Sequence, residues 1–267
     1  MKTVLVTGAT DGIGLETARQ LAARGLRVLV HGRSAEKAAA VCRDIARCQP
    51  GASLEAVAGD FARMAEVVAL AREVAAKAPA LDVLINNAGV QMKTRQVTAD
   101  GFETTMAVNH LAPFLLTHHL LDAVKRAPAG RIVVVASMTH AGGTDPDDFV
   151  RARGYSGYGA YAASKLANVL FTLALARRLA GTPVTANSLH PGVIATKLLR
   201  TGFGLGGAPV EQGARTSVYL ATAPEVAKVT GRYFVDAREA APSREGRDVA
   251  LAERVWDASA GALAALL

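Results

Sequence analysis

KTVLVTGATDGIGLETARQLAARG, residues 2–25, decides the fold, because a short apolar run passes through closely spaced glycines into an amphipathic run. KTVLVT (2–7) is typical of a buried strand, and GLETARQLAARG (14–25) of a helix that Gly25 ends. The glycines between them follow the spacing T-G-x-x-x-G-x-G. Glycines let backbone N–H groups approach a pyrophosphate, which then lies at the positive end of the following helix. The stretch therefore predicts the first strand-turn-helix unit of a dinucleotide-binding sheet.

The same alternation continues along the rest of the chain. The further predicted strands are 27–32, 54–58, 82–87, 131–137, 184–190 and 232–236. Helices are predicted up to Cys48, over 62–77, over about 99–126 and around 157–171. The strands are continuous apolar runs, which is typical of strands buried on both faces. With right-handed crossovers, the pattern predicts an α/β chain: one Rossmann domain over 1–267, a doubly wound, seven-stranded parallel sheet with helices on both faces.

Composition narrows the functional classes. The 267 residues are 51% apolar and 20% charged, which suits one well-packed domain, and the N-terminus lacks a signal-peptide pattern. We expect a cytoplasmic protein with no membrane span. Cys42 and Cys48 have no Cys or His cluster around them, so we expect inert thiols and no metal site. The net charge of +7 is scattered, which argues against nucleic-acid binding and suits a small polyanionic ligand.

The end of the second strand predicts which dinucleotide binds. A carboxylate there would bind the ribose 2′-hydroxyl of NAD, but the sequence has Gly32 followed by Arg33. An arginine can form charge-assisted hydrogen bonds to a 2′-phosphate. Ser34 suits the N-cap of the next helix and could donate to the same phosphate. We therefore expect NADP(H) as the preferred cofactor, with NAD(H) as the alternative.

A tyrosine and a lysine begin the helix around 157–171. Tyr161 and Lys165 are four residues apart and share a helix face, offset by about 6 Å along the axis. Tyr158 stands seven residues before Lys165 and is a more distant alternative. A positive charge about 4 Å from a phenol, at an effective dielectric of about 20, could lower its pKa by about three units. The spacing predicts Tyr161 as the acid–base group, with a pKa lowered by Lys165.

Other polar residues should lie near this pair. Ser137 ends the fifth strand and NNAG (86–89) ends the fourth, both at the carboxyl edge where open α/β sheets bind ligands. Asn109 belongs to a predicted helix that should run beside that of the tyrosine.

These motifs, with HPGVIAT (190–196), occur in the order found in short-chain dehydrogenases/reductases, which the chain resembles over nearly its whole length. The resemblance implies that Ser137 orients the substrate oxygen, Tyr161 transfers the proton, Lys165 also holds the nicotinamide ribose, and Asn109 supports a water relay. It implies cofactor contacts on both nucleotide halves. With the residues argued above, the expected cofactor-binding set is Gly8, Thr10, Asp11, Gly12, Ile13, Gly14, Arg33, Ser34, Asp60, Phe61, Asn87, Ala88, Gly89, Tyr161, Lys165, Pro191, Gly192, Val193 and Thr196.

The substrate side is less well defined by the sequence. SKLANVLF, HPGVIATKLLR and RYFVDAREAAPS look most like the retinol dehydrogenase and protochlorophyllide reductase branch of that family. The long segment 138–160, with DPDD at 145–148, should shape the pocket, and the glycine-rich segment 193–210 predicts a mobile lid. The candidate substrate contacts are His140, Tyr155 and Leu198.

The predicted function is NADP(H)-dependent interconversion of a carbonyl and an alcohol on a lipophilic small molecule. Two alternatives remain open: reduction of a carbon–carbon double bond on the same scaffold, and a non-enzymatic dinucleotide-sensing regulator. Proteins that look like this commonly form homodimers or tetramers.

Overall fold

The computed structural model describes residues 1–141, 145, 147–151 and 154–267. The strands in this part of the chain are β1 (Thr3–Val6), β2 (Arg27–Gly32), β3 (Leu54–Ala58), β4 (Val83–Asn86), β5 (Arg131–Val135), β6 (Thr185–His190), β7 (Tyr233–Val235) and β8 (Arg238–Ala240). The α-helices are α1 (Gly12–Ala22), α2 (Ala35–Cys48), α3 (Met64–Lys77), α4 (Thr104–Met106), α5 (Ala112–Lys125), α6 (Gly157–Arg178), α7 (Val210–Thr222) and α8 (Val249–Ala262). Short 3-10 turns cover Met138–Ala141 and Glu245–Arg247, and π-helical turns cover Ala107–Leu111 and Leu199–Phe203.

All these strands belong to one sheet, in the order β3-β2-β1-β4-β5-β6-β7-β8. The order reverses between β1 and β4, which places the ligand crevice at their carboxyl ends. The alternation of side chains in β1 separates two cores: Val4 and Val6 pack in the core that includes α1 and α7, whereas Leu5 packs in the core that includes α3, α5 and α6. The helices therefore cover both faces, as the sequence predicts.

The sheet has one strand more than the predicted seven. β8 pairs antiparallel with β7 through a two-residue turn at Asp236 and Ala237. Both turn residues have positive φ, 50° and 57°, as a type I′ hairpin requires. The usual sequence signal for this turn is Asn-Gly or Asp-Gly, so Asp-Ala does not predict a hairpin.

The predicted helix over about 99–126 is shorter and interrupted. It begins at Thr104, where Glu103 accepts a hydrogen bond from the backbone of Met106, and it widens into the π-helical turn 107–111. Pro113, the second residue after this turn, has no N–H to donate to the carbonyl of Asn109. Single π-turns of this kind are frequent at functional sites.

α6 is the core helix. Of the helices in the described ranges, it alone is long and apolar enough to cross a membrane, with a mean hydropathy of 1.2 over its most apolar window. That window is 94% buried inside the protein, as expected of a helix in a protein core.

The C-terminal segment packs against the same half of the molecule. Trp256 of α8 stacks on Phe171 of α6 with the ring centroids 5.9 Å apart. The histidine contacts of this segment are His110 Nε2 to Ser259 Oγ at 2.8 Å, His119 Nε2 to Leu266 O at 2.8 Å, and Ser243 N to His140 Nε2 at 2.9 Å.

Candidate active site

The glycine-rich loop after β1 is tied to the loop after β4. Asn87 Nδ2 donates to the carbonyls of Thr7 and Gly8 at 2.8 and 3.3 Å, and Thr7 Oγ1 accepts from the amides of Asn87 and Ala88. Gly8 has φ +63°, and a Cβ on it would lie 2.8 Å from Ala88 Cα. The expected cofactor residues Asn87 and Ala88 therefore hold the loop through these contacts.

The first turn of α1 faces the segment after β6. Asp11 Oδ1 accepts from the amide of Gly12 at 2.7 Å and caps the helix, and the first turn of α1 contains no acidic residue. A Cβ on Gly12 would lie 3.2 Å from Thr196 Cγ2, and one on Gly14 would collide with the carbonyl of Gly8. The glycines thus leave a cradle at a helix N-terminus where the backbone is accessible, which fits the pyrophosphate of a dinucleotide.

The cradle is bordered by the remaining residues of this loop and by the segment after β6. Ile13 faces α7, where a Cβ on Gly213 would come within 2.8 Å of Ile13 Cγ1. Pro191 and Gly192 are half-buried, and Val193 is exposed.

The carboxyl ends of β2 and β3 form the other side of the cradle. Thr10 packs so closely on Gly32 that any side chain at position 32 would collide with it. Arg33 is exposed, and Ser34 Oγ accepts from Lys37 N at 3.3 Å, which confirms its N-cap role. Asp60 Oδ1 accepts from Ala62 N at 3.0 Å.

Phe61 differs from the expected cofactor contact, because its ring is buried in the core. It stacks on His31 with the ring centroids 4.6 Å apart. Its side chain is therefore committed to packing, which leaves only its backbone for a nucleotide. Sequence reasoning missed His31, since a lone histidine at a strand end carries no recognisable signal.

Tyr161, Ser137 and Lys165 meet beyond the end of β5. All three are buried, Tyr161 with 8% exposure, and Lys165 Nζ lies 5.5 Å from the centre of the tyrosine ring. Lys165 Nζ donates to the carbonyl of Val135 at 2.9 Å, which fixes the ammonium beside the sheet edge.

The pKa values of this pair are set by burial. Burial raises the pKa of Tyr161 to about 12, and a hydrogen bond with the Ser137 side chain partly opposes this. Burial also lowers the pKa of Lys165 to about 8. The expected lowering of the Tyr161 pKa by Lys165 is therefore wrong for this structure: desolvation of the phenolate outweighs the attraction of an ammonium that binds a backbone carbonyl instead.

Asn109 joins the β4 loop to the helix of the tyrosine. Its Oδ1 accepts from Val90 N at 2.8 Å, and its Nδ2 donates to Val90 O at 2.9 Å and to Ser164 Oγ at 3.0 Å. A Cβ on Gly89 would lie 3.5 Å from both Asn109 Oδ1 and Lys165 Nζ. The π-helical turn thus places a buried amide that joins the residue after Gly89 to the residue before Lys165.

Two of the three expected substrate contacts are occupied by other partners. His140 Nδ1 donates to Ser137 O at 2.6 Å while its Nε2 accepts from Ser243 N, so both ring nitrogens are used. Tyr155 donates its hydroxyl to Met92 O at 2.7 Å. These side chains support the site rather than line it, because each polar group already has a protein partner.

The segment 138–160 lies only partly within the described residues. Residues 142–144, 146 and 152–153 fall outside them, so the expected role of this segment in shaping the pocket stays a prediction. In the described part, Arg254 Nε donates to Asp147 Oδ2 at 2.6 Å, which ties the acidic stretch to α8.

The segment after Thr196 covers the tyrosine. Leu198 is half-buried and precedes the π-helical turn, which ends at Phe203. The ring of Phe203 lies edge-on to that of Tyr161, with the centroids 5.5 Å apart, and 6.3 Å from that of Tyr158. Sequence reasoning placed a lid here without identifying Phe203 as its contact with the site.

Comparison with known proteins agrees with this arrangement. The chain is 40% identical to human retinol dehydrogenase 14, over 97% of this chain and 85% of that protein. An uncharacterized protein from Mycobacterium paratuberculosis superposes with a TM-score of 0.82 and 34% identity, covering 98% of this chain and 93% of that one. Gluconate 5-dehydrogenase from Burkholderia cenocepacia, in complex with NADP and tartrate, superposes with a TM-score of 0.71 and 26% identity, covering 88% and 92%.

The family model for short chain dehydrogenases matches residues 2–203, which include the glycine-rich loop, the tyrosine–lysine pair and the start of the segment 193–210. With a relative of 40% identity over nearly the whole chain, this establishes nicotinamide dinucleotide binding and oxidoreductase chemistry. The protein belongs to the short chain dehydrogenase family.

Proposed function

We propose that the protein is an NADP(H)-dependent oxidoreductase that interconverts a carbonyl and an alcohol on a lipophilic small molecule. One observation carries this proposal: the buried phenol of Tyr161 lies beside Ser137 and Lys165, at the sheet edge that also holds the phosphate cradle. The protein groups needed to bind a carbonyl oxygen and move a proton to it are thus assembled next to a dinucleotide site.

The cofactor residues are those of the cradle and its borders. The N-terminus of α1 would bind the pyrophosphate, Arg33 and Ser34 the 2′-phosphate, and Lys165 the nicotinamide ribose. When bound, the dinucleotide supplies or accepts the hydride at the substrate carbon. NADP is favoured because Arg33 has no carboxylate in the preceding position and because a structural relative binds NADP.

Tyr161 would donate the proton that the substrate oxygen receives during carbonyl reduction. Burial raises the pKa of Tyr161 to about 12, so its phenol is protonated at neutral pH and can donate to a substrate oxygen. Ser137 would hold the same oxygen by a hydrogen bond. The phenolate that remains would be stabilised by Ser137 and by the nearby Lys165 ammonium until a proton returns.

The surroundings of the tyrosine support a lipophilic substrate. The ring of Phe203 lies between those of Tyr161 and Tyr158, and Met138, Val193 and Leu205 on the adjoining segments are 57%, 47% and 54% exposed. Apolar side chains left exposed around a site are typical of binding surfaces. The relative retinol dehydrogenase 14 is named for retinol, an alcohol that is largely hydrocarbon.

The test is turnover of lipophilic aldehydes and ketones, followed by NADPH absorbance with identification of the products. Tyr161→Phe should lower kcat by roughly 10²–10⁴-fold, the usual contribution of general acid catalysis, while the NADPH Kd stays within about twofold. Tyr158→Phe is the matched control, because it removes a half-exposed hydroxyl one turn away and should keep full activity.

Retained activity in Tyr161→Phe would refute the role of the phenol. An unsaturated aldehyde should be reduced at its carbonyl; reduction of its double bond would instead establish the alternative chemistry.

A further inference from the structure

His31 lies where the carboxyl ends of β1, β2 and β3 meet, and only 2% of its surface is exposed. Its Nδ1 accepts a hydrogen bond from Gly8 N at 3.1 Å, and its Nε2 donates to Gly59 O at 3.0 Å. Its backbone carbonyl accepts from Ala9 N at 2.8 Å. One residue thus binds two consecutive amides of the glycine-rich loop and also the turn that follows β3.

These contacts require one form of the imidazole. An acceptor at Nδ1 and a donor at Nε2 exist together only in the neutral Nε2–H tautomer. A second proton would place an N–H at Nδ1 against the N–H of Gly8. Burial lowers the pKa of His31 to about 4, with the Gly59 carbonyl and the nearby Asp60 carboxylate acting in the opposite direction. The neutral tautomer therefore persists at neutral pH.

We propose that His31 is a positioning residue for the dinucleotide: its Nδ1 holds the glycine-rich loop in the shape that accepts the phosphates. The loop is gripped from two sides, because Gly8 lies between His31 and Ala88. This role concerns the part of the site shared by both nucleotides. Loss of the Nδ1 contact should therefore weaken NADPH and NADH alike, whereas loss of Arg33 should weaken NADPH alone.

Two amide variants separate the two ring nitrogens. His31→Asn places its side-chain oxygen near the position of Nδ1 and keeps an acceptor for Gly8, but it falls short of Gly59. His31→Gln reaches toward Gly59 and leaves the amide of Gly8 without its acceptor. His118→Gln, at an exposed position of α5, is the control.

The experiment measures NADPH and NADH binding by nucleotide fluorescence, together with thermal unfolding, for the three variants and the wild type. His31→Gln should bind both nucleotides roughly threefold to tenfold more weakly, since one hydrogen bond contributes about that factor. His31→Asn and the control should stay within about twofold of the wild type. No substrate is involved, so a failure here is separate from a failure of the proposed carbonyl chemistry.

The other outcomes overturn the proposal. Unchanged affinity in both His31 variants would show that the loop needs no such contact. Equal losses in both, or a larger loss in His31→Asn, would indicate a structural role unrelated to Nδ1. If neither variant folds, nitrogen NMR of the wild-type histidines decides: His31 should show the Nε2–H tautomer and shift on NADPH addition, and any other tautomer or an unmoved signal refutes the proposal.

Discussion

Gly8→Ala is the sharpest test of how the phosphate cradle is built. The new Cβ would lie 2.8 Å from Ala88 Cα, 3.1 Å from its Cβ and 3.3 Å from its N, and the backbone φ of +63° is unfavourable for alanine. The left-handed conformation costs about 1–2 kcal/mol. The collision adds about 1–3 kcal/mol, because the Ala88 backbone cannot turn aside. The free energy of unfolding should therefore fall by about 2–5 kcal/mol.

Gly25→Ala separates the two contributions. Gly25 has φ +75°, but within the described residues no atom beyond Gly25 and its two chain neighbours lies within 4 Å of a Cβ built there. Only the conformational cost of about 1–2 kcal/mol should remain. Chemical denaturation of both variants then gives the cost of the contact with Ala88 by difference.

Binding completes the test. Gly8→Ala pushes the β1 and β4 loops apart and should weaken NADPH at least about tenfold, whereas Gly25→Ala should leave NADPH affinity unchanged. If the two variants were equally stable, the loops would not be packed as described. Full NADPH affinity in Gly8→Ala would show that the cradle tolerates this movement, and the reasoning would fail.

Three further predictions follow from the site. Arg33→Ala should weaken NADPH binding by about 10–100-fold and NADH binding by less than twofold, because only NADPH has a 2′-phosphate that loses a charge-assisted contact. Fluorescence titration measures both affinities, and equal losses would contradict the prediction. Phe203→Ala removes the aromatic ring that lies edge-on to Tyr161. Because an aromatic pair contributes about 0.5–1.5 kcal/mol, loss of this ring beside an aromatic aldehyde should raise KM several-fold without changing the NADPH Kd. An unchanged KM in steady-state kinetics would refute it. Burial lowers the pKa of His31 and of His110 from 6.5 to about 4. Below pH 6.5 the unfolded chain therefore binds more protons than the folded protein, and the free energy of unfolding should fall between pH 6.5 and pH 4, by about 2 kcal/mol per histidine at pH 5. Urea unfolding at pH 7.5 and pH 5 measures the loss, and equal stabilities would contradict it.

Local patterns explain what the sequence could predict. A few neighbouring residues are enough to identify the glycine-rich loop, the continuous apolar strands and the Tyr161–Lys165 spacing. The chain order of these units and the right-handed crossover rule are then enough to bring them to one sheet edge. Ser34 illustrates the same point, since an N-cap depends only on the three residues that follow it.

Two of the failures depend on tertiary packing, and the third depends on an unusual local turn. His140 looked available for substrate, but it is bound by Ser243, 103 residues later in the chain. The sequence spacing predicts that Lys165 is near Tyr161 and lowers its pKa. It does not predict how completely the phenol is buried, and burial raises that pKa. β8 was missed because it is three residues long and follows a turn without glycine.

The histidine contacts of the C-terminal segment have a consequence for biosynthesis. His110, His119 and His140 all lie before residue 141, yet each is bonded to a residue between 243 and 266. As the chain leaves the ribosome, the glycine-rich loop and the first five strands emerge long before these partners. The three Nε2 atoms therefore lack these partners until the last part of the chain has been made. We expect the region around Ser137 to reach its final packing only after translation of the C-terminal segment.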